Sequence, residues 1–271
     1  MVMRFLKRLA LVVLWGLLTG WGSWTQTGQT SPFDGTWKVD LKSEKYISEP
    51  VEILLINGEY SCRSCTPPYT IKADGKDHEV SVSPYFDTEN ITIVDGRTLS
   101  RIDKKGGEQV GTIKTWVSED GKTLHREYTR VNAPGQPAYS GSYTATRISD
   151  GPKGSHAVSG TWQENPTESM SENAQSFRFR VEGDMLTMTS PLGDSFTAKM
   201  DGTEAPVKGD RGADRVSVKQ IDPSTLEQTY KLDGKVVSIT KMTVSGDGKT
   251  MKSFVELKVR PVKVESTFIK Q

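Results

Sequence analysis

Hydrophobic and polar positions alternate along this chain in short runs, and the runs are rich in β-branched and aromatic residues. After residue 32 no window keeps a helical period. Period-two alternation recurs instead, so each run predicts a strand with one buried face. Turn-forming dipeptides punctuate the runs: Asn57-Gly58, Asp74-Gly75, Asp95-Gly96, Gly106-Gly107, Asp120-Gly121, Gly183-Asp184, Asp201-Gly202, Asp233-Gly234 and Asp247-Gly248. Asn-Gly and Asp-Gly suit two-residue hairpin turns, whose central residues need positive φ. The pattern predicts an all-β protein of antiparallel hairpins. In the first half, strands are expected near 35–40, 51–56, 59–63, 69–72, 78–82, 90–94, 98–103, 108–117, 122–130 and 139–146.

The chain also repeats itself. Val117-Ser-Glu-Asp-Gly-Lys-Thr-Leu124 matches Val244-Ser-Gly-Asp-Gly-Lys-Thr-Met251. The same offset pairs Asp74-Gly75 with Asp201-Gly202, Thr98-Leu99 with Thr225-Leu226, and Lys114 with Lys241. Near the start of each half the offset shortens by two positions, and Gly35-Thr36-Trp37 pairs with Gly160-Thr161-Trp162. One spacing held across separated motifs is the mark of a tandem duplication. The expected organisation is an export segment at 1–22, a polar linker at 23–32, and two similar domains at 33–150 and 151–271.

Ten meandering strands per half would leave long free edges in an open sheet, so each half is expected to close into an up-and-down barrel or curl into a clam. Gly-Thr-Trp opening the first strand of each half resembles the N-terminal signature of lipocalins and related calycin-type barrels. That resemblance implies a lipocalin-like barrel in each half, with the Trp packed across its closed end. The doubled layout also resembles exported bacterial proteins, a likeness that implies no activity.

The N-terminal segment changes the picture of where the protein works. Arg4, Lys7 and Arg8 precede an apolar run from Leu9 to Leu18, and Gly20 and Gly22 follow it. That run is too short to span a bilayer as a helix, which needs about 20 apolar residues, so the segment reads as a signal for export cleaved after Gly22. An uncleaved anchor is the alternative, and it is the one route by which a membrane becomes a partner. The whole chain carries +1, and positions 1–22 contribute Arg4, Lys7 and Arg8 with no acid to offset them. The remainder is near neutral and has no basic block, which excludes nucleic acid as a partner. A secreted or periplasmic location is expected.

Candidate chemistry is sparse. No phosphate loop, dinucleotide fingerprint or nucleophile elbow occurs. His78, His125 and His156 have no metal-site spacing and read as surface histidines, so neither metal nor cofactor is expected. Most carboxylates fall in turns, where Asp supports the backbone. The two cysteines form Cys62-Arg-Ser-Cys65, which in an exported protein should oxidise to a disulfide. A structural clip is the first reading, with a redox pair or a metal-binding pair as alternatives.

One strand carries a candidate ligand site. Alternation over 122–130 puts Leu124, Arg126 and Tyr128 on one face, and the matching second-half face, Met251, Ser253 and Val255, is mostly apolar. Arg126 is therefore expected to point inward. Arg-x-Tyr on an interior strand is similar to the carboxylate anchor of intracellular fatty-acid-binding proteins, which implies that Arg126 and Tyr128 meet an anionic head group above Leu124. A snorkelling or ion-paired arginine is the other reading. The function expected is a non-enzymatic, exported binding protein for a small apolar or amphipathic molecule. A structural or protein-interaction module of the cell envelope is the alternative, and a hydrolase or isomerase assembled in space is a third.

Overall fold

The computed structural model describes residues 31–132 and 135–271. The export segment read from the sequence, and nearly all of the linker, lie outside the described residues. The first strands are β1 (Gly35–Ser48), β2 (Val51–Ile56), β3 (Glu59–Cys62), β4 (Tyr69–Lys72) and β5 (Asp74–Glu79). Next come β6 (Thr88–Ile93), β7 (Thr98–Lys105), β8 (Glu108–Val117), β9 (Thr123–Arg130) and β10 (Tyr139–Asp150). The second half holds β11 (Gly160–Met170), β12 (Ser176–Glu182), β13 (Met185–Thr189), β14 (Ser195–Lys199) and β15 (Asp201–Lys208). It ends with β16 (Arg215–Asp222), β17 (Thr225–Leu232), β18 (Lys235–Val244), β19 (Thr250–Leu257) and β20 (Val262–Lys270). The first-half strands fall where the alternation places them, with β5 shifted earlier and β1 and β10 extended.

These strands form two ten-stranded antiparallel sheets. One is a closed barrel in the order β1-β12-β13-β14-β15-β16-β17-β18-β19-β20, and the other runs β4-β3-β2-β11-β10-β9-β8-β7-β6-β5. Strand order is the same in both once β1 and β11 are recognised as exchanged. The division into self-contained units at 33–150 and 151–271 therefore needs correcting: each half gives its first strand to the other. β1 pairs with β12 and β20, while β11 pairs with β2 and β10. The link between β1 and β2 supplies a physical reason. Only Glu49 and Pro50 separate them. Proline locks φ at a negative value, whereas a two-residue type I′ hairpin needs positive φ at both central positions. β1 cannot fold back on β2 there, and it runs on along the neighbouring sheet. The result has the form of a strand-exchanged dimer fused into one chain.

The two Gly-Thr-Trp strands keep equivalent environments across the exchange. Trp37 and Trp162 are both fully buried. Each indole N–H donates to the carbonyl four residues back, Trp37 to Phe33 at 2.8 Å and Trp162 to Val158 at 2.9 Å. Each ring also carries a cation, Lys270 over Trp37 at 5.2 Å and Arg147 over Trp162 at 4.0 Å. Phe33 and Trp37 pack with Phe179, Leu186, Leu226 and Met251 of the second half. Trp162 and Val158 pack with Leu55, Leu99, Leu124 and Ala145 of the first.

Closure differs between the sheets. In the second half β14 meets β15 through the pairs Ser195↔Lys208 and Phe196↔Val207. The equivalent positions of the first copy are Pro68, Ser81, Tyr69 and Val80, and no ladder joins β4 to β5. Pro68 has no N–H to donate at that seam.

The turns follow the sequence reading in part. Asn57-Gly58, Gly106-Gly107 and Asp233-Gly234 place both central residues at positive φ, as two-residue type I′ hairpins require. At Asp120-Gly121 and Asp247-Gly248 only the glycine is left-handed, and at Asp95-Gly96 neither residue is. There the aspartate works through its side chain. Asp95, Asp120 and Asp74 each accept from the N–H two residues on, at 2.8, 3.0 and 3.1 Å. Asp222, Asp247 and Asp201 do the same at the repeat positions, at 2.8, 3.1 and 2.9 Å. Hydrogen bonds hold all six carboxyls below their usual range, and Thr203 takes Asp201 down to about 2. A carboxyl depressed in the folded state stabilises the fold above its unfolded pKa and loses that contribution as pH falls through the folded value. Thermal midpoints should therefore drop between about pH 4 and 2. Asp201→Asn should flatten part of that drop in melts followed by circular dichroism.

Candidate functional site

The two barrels are filled differently, and the difference singles out a candidate site. Interior positions of β6, β7 and β9 in the first half carry Glu89, Arg101, Asp103 and Arg126, where the second half has Val216, Gln228, Tyr230 and Ser253. Glu89 and Asp103 are almost completely buried. Burying charge without partners is costly, and here the partners are present. Arg101 reaches Glu89 Oε1 through Nη1 at 3.1 Å and Asp103 Oδ1 through Nε at 2.7 Å. The two contacts are ionic rather than well-aligned hydrogen bonds. Arg101 Nη2 donates a hydrogen bond to Asp103 Oδ2 at 2.9 Å, and Tyr69 donates to Glu89 Oε2 at 2.7 Å. Burial pushes the Glu89 carboxyl above its usual range against the opposing pull of Arg101. Burial alone would lower Arg101, but Glu89 and Asp103 outweigh it and the guanidinium is held more firmly charged.

Leu124, Arg126 and Tyr128 share one face of β9, as the alternation indicates, and Leu124 belongs to the apolar core. Arg126 Nη1 donates to the Tyr143 hydroxyl at 2.6 Å and Nε to Thr115 Oγ1 at 3.3 Å. Glu127 is exposed on the other face. No carboxylate forms a salt bridge with Arg126 among the described residues. Glu164, which accepts from Tyr46 at 2.9 Å and acts on Tyr143, adds a more distant negative charge that favours the guanidinium. Tyr128 lies over Gly141, where a Cβ would stand 2.5 Å from its hydroxyl. Arg126 is thus held by a tyrosine and a threonine of the barrel wall.

One open space of the first barrel lies one step further along the same face; a larger one, about 300 Å³, lies on the second barrel among Lys45, Lys241, Lys252, Ser253 and Glu265. A cavity of about 180 Å³ at the mouth of the first barrel is lined by Asp103 and Arg130, with Tyr85, Phe86, Val110 and Tyr139. Arg130 Nη2 stands 3.8 Å from Asp103 Oδ2, and its guanidinium lies 5.8 Å from the centre of the Tyr128 ring. The Tyr85 hydroxyl donates to Asp210 of the second half at 2.8 Å, and its ring packs against Gly212. One wall of the cavity is thereby pinned to the neighbouring barrel. Arg130 and Asp103 were within reach of the sequence. Both continue interior faces, and their repeat partners Leu257 and Tyr230 are uncharged, a contrast between copies that singles them out.

Cys62 and Cys65 form a disulfide, with Cα atoms 5.4 Å apart, at the end of β3 and the loop after it. The short loop it closes limits the stabilisation to about 2 kcal/mol or less. The histidines make ordinary contacts: His78 with Asp74 at 2.8 Å, His156 with the Asp95 carbonyl at 2.6 Å, and His125 stacked on Trp116. Lys114 is exposed, with its ammonium 5.0 Å from the centre of the Trp116 ring, and Lys241 is exposed at the matching position. No group of three or more His, Cys, Asp and Glu side chains gathers among the described residues in a way that could hold a metal. Comparison with protein-family models, curated proteins and solved structures finds no match to the chain.

Proposed function

We propose that this protein is an exported, non-enzymatic binding protein whose small amphipathic ligand sits at the mouth of the first barrel. The observation that carries the reading is the cavity of about 180 Å³, which joins an arginine and a buried carboxylate to aromatic and aliphatic walls. A cavity of about 150 Å³ is enough to take benzene, whereas drug-sized ligands need about 300 Å³ or more. The space beside Arg130 is too small for a long acyl chain, so the ligand taken there is smaller than the fatty acid that the resemblance implied for Arg126 and Tyr128. Export rests on the basic and apolar pattern of positions 1–22, and the Cys62–Cys65 disulfide is compatible with an oxidising compartment. The likeness to lipocalins rests on the Gly-Thr-Trp openings of β1 and β11, whose Trp37 and Trp162 are buried.

Native mass spectrometry of exported protein should show a chain beginning at Ser23 with a small molecule bound. Val131→Phe, which builds into the cavity, should release that molecule without unfolding the chain. A ligand-free mass that no small-molecule mixture changes would favour the second reading, a structural or interaction module of the envelope. Its supporting observation is the pair Val94 and Ile221, which stand at matching repeat positions and are 59% and 49% exposed.

A further inference from the structure

We infer that the mouth of the first barrel takes a zwitterion, a free α-amino acid with an apolar side chain of about leucine size. The inference rests on the binding-protein reading and names the ligand class of that same cavity. Its lining carries both signs of charge, Asp103 with a side chain only 3% exposed and Arg130 at 35%. The two are unequally committed. Asp103 is gripped by Arg101 at 2.7 and 2.9 Å, while Arg130 stands 3.8 Å away from it. Arg130 Nε is buried and makes no hydrogen bond. Arg130 is therefore the cation with bonding capacity left, and a carboxylate is the group whose paired oxygens match a guanidinium.

A ligand carboxylate set against Arg130 also comes close to Asp103, because those two side chains are already near neighbours. A purely anionic ligand meets that repulsion unrelieved. A ligand with an ammonium on the carbon next to its carboxylate offsets it and gives Asp103 a second partner. A neutral apolar ligand would leave both charges facing a dry surface, which is costly. Phe86, Val110 and Val131 then face the side chain, and the volume sets its size. The second barrel, with Tyr230 and Leu257 at the matching positions, has neither charge to offer.

The test is calorimetric titration of the full exported chain with L-leucine, with isocaproate, which lacks the ammonium, and with isoamylamine, which lacks the carboxylate. Leucine should bind more tightly than either by roughly ten- to a hundredfold, the value of one charge-assisted hydrogen bond. Arg130→Gln should bring leucine down to the level of isoamylamine. If that variant melts early, the three-ligand comparison on the unaltered chain decides alone. Isocaproate binding as well as leucine overturns the zwitterion and leaves the mouth as a ligand site. Failure of all three to bind also overturns it, and the bound mass and the Val131→Phe result then decide the binding-protein reading separately.

Discussion

Trp37→Ala should cost about 3–5 kcal/mol, the range for emptying a fully buried large aromatic site, and the damage should fall on the other half of the chain. Trp37 leaves its own sequence neighbours to pack against Phe179, Leu186 and Met251, beneath the Lys270 ammonium. Hydrogen exchange should therefore show amides of β12 and β20 losing protection, while the ladder from β6 to β10 keeps it. Trp162→Ala should give the mirror result, with the loss in β2 and β10. Loss of protection confined to the half that carries each mutated tryptophan would contradict the strand exchange. The measurement separates exchange from simple tandem folding because both arrangements predict a large loss of stability and only its location differs.

Arg101→Met should be nearly as severe, at about 3–5 kcal/mol, because it leaves Glu89 and Asp103 buried without their shared cation. Chemical denaturation at neutral pH measures the loss. The second half shows how the same positions are filled without charge, with Val216, Gln228 and Tyr230 at the equivalent sites. Transplanting that set, as Glu89→Val, Arg101→Gln and Asp103→Tyr together, should restore most of the lost stability. Replacing a buried ion network by packed residues of similar volume is often neutral or stabilising. The same triple variant should bind no ligand, since it removes Asp103 and puts a tyrosine ring at the mouth. Restored stability together with retained binding would separate the network from the site and place the ligand elsewhere.

Much of this fold was legible because its signals are local. Alternation tells which face of a strand is buried, and the repeated aspartates mark where the chain turns, since an Asp side chain meets an N–H only two residues away. The constant offset between the copies then makes the halves equivalent, and the structure keeps that equivalence from Asp95 and Asp222 to the two buried tryptophans. The inward face of Leu124, Arg126 and Tyr128 was read by the same rule. Arg130 is the next residue on that face, and the contrast with Leu257 marks it, but the cavity that gives it a role is closed by Tyr85 and Phe86 from a distant loop.

Which strand joins which sheet could not be read in that way. The two Gly-Thr-Trp strands share the same opening pattern, and period-two alternation encodes a face but never a partner. The choice falls to the connections, where Glu49-Pro50 denies β1 a tight return, and to the ring contacts that Lys270 and Arg147 make once the strands have crossed. The partners of the buried charges are settled in the same way. Glu89 and Arg101 lie on the paired strands β6 and β7, 3.1 Å apart, whereas Tyr69 comes from β4 at the opposite edge, and the curl of the sheet brings its hydroxyl to 2.7 Å from the Glu89 carboxylate. Faces, turns and the duplication depend on neighbours along the chain, so the residue order carries them openly. Strand pairing and charge neutralisation depend on neighbours in space, and they exist only once each sheet has curled around the other half's first strand.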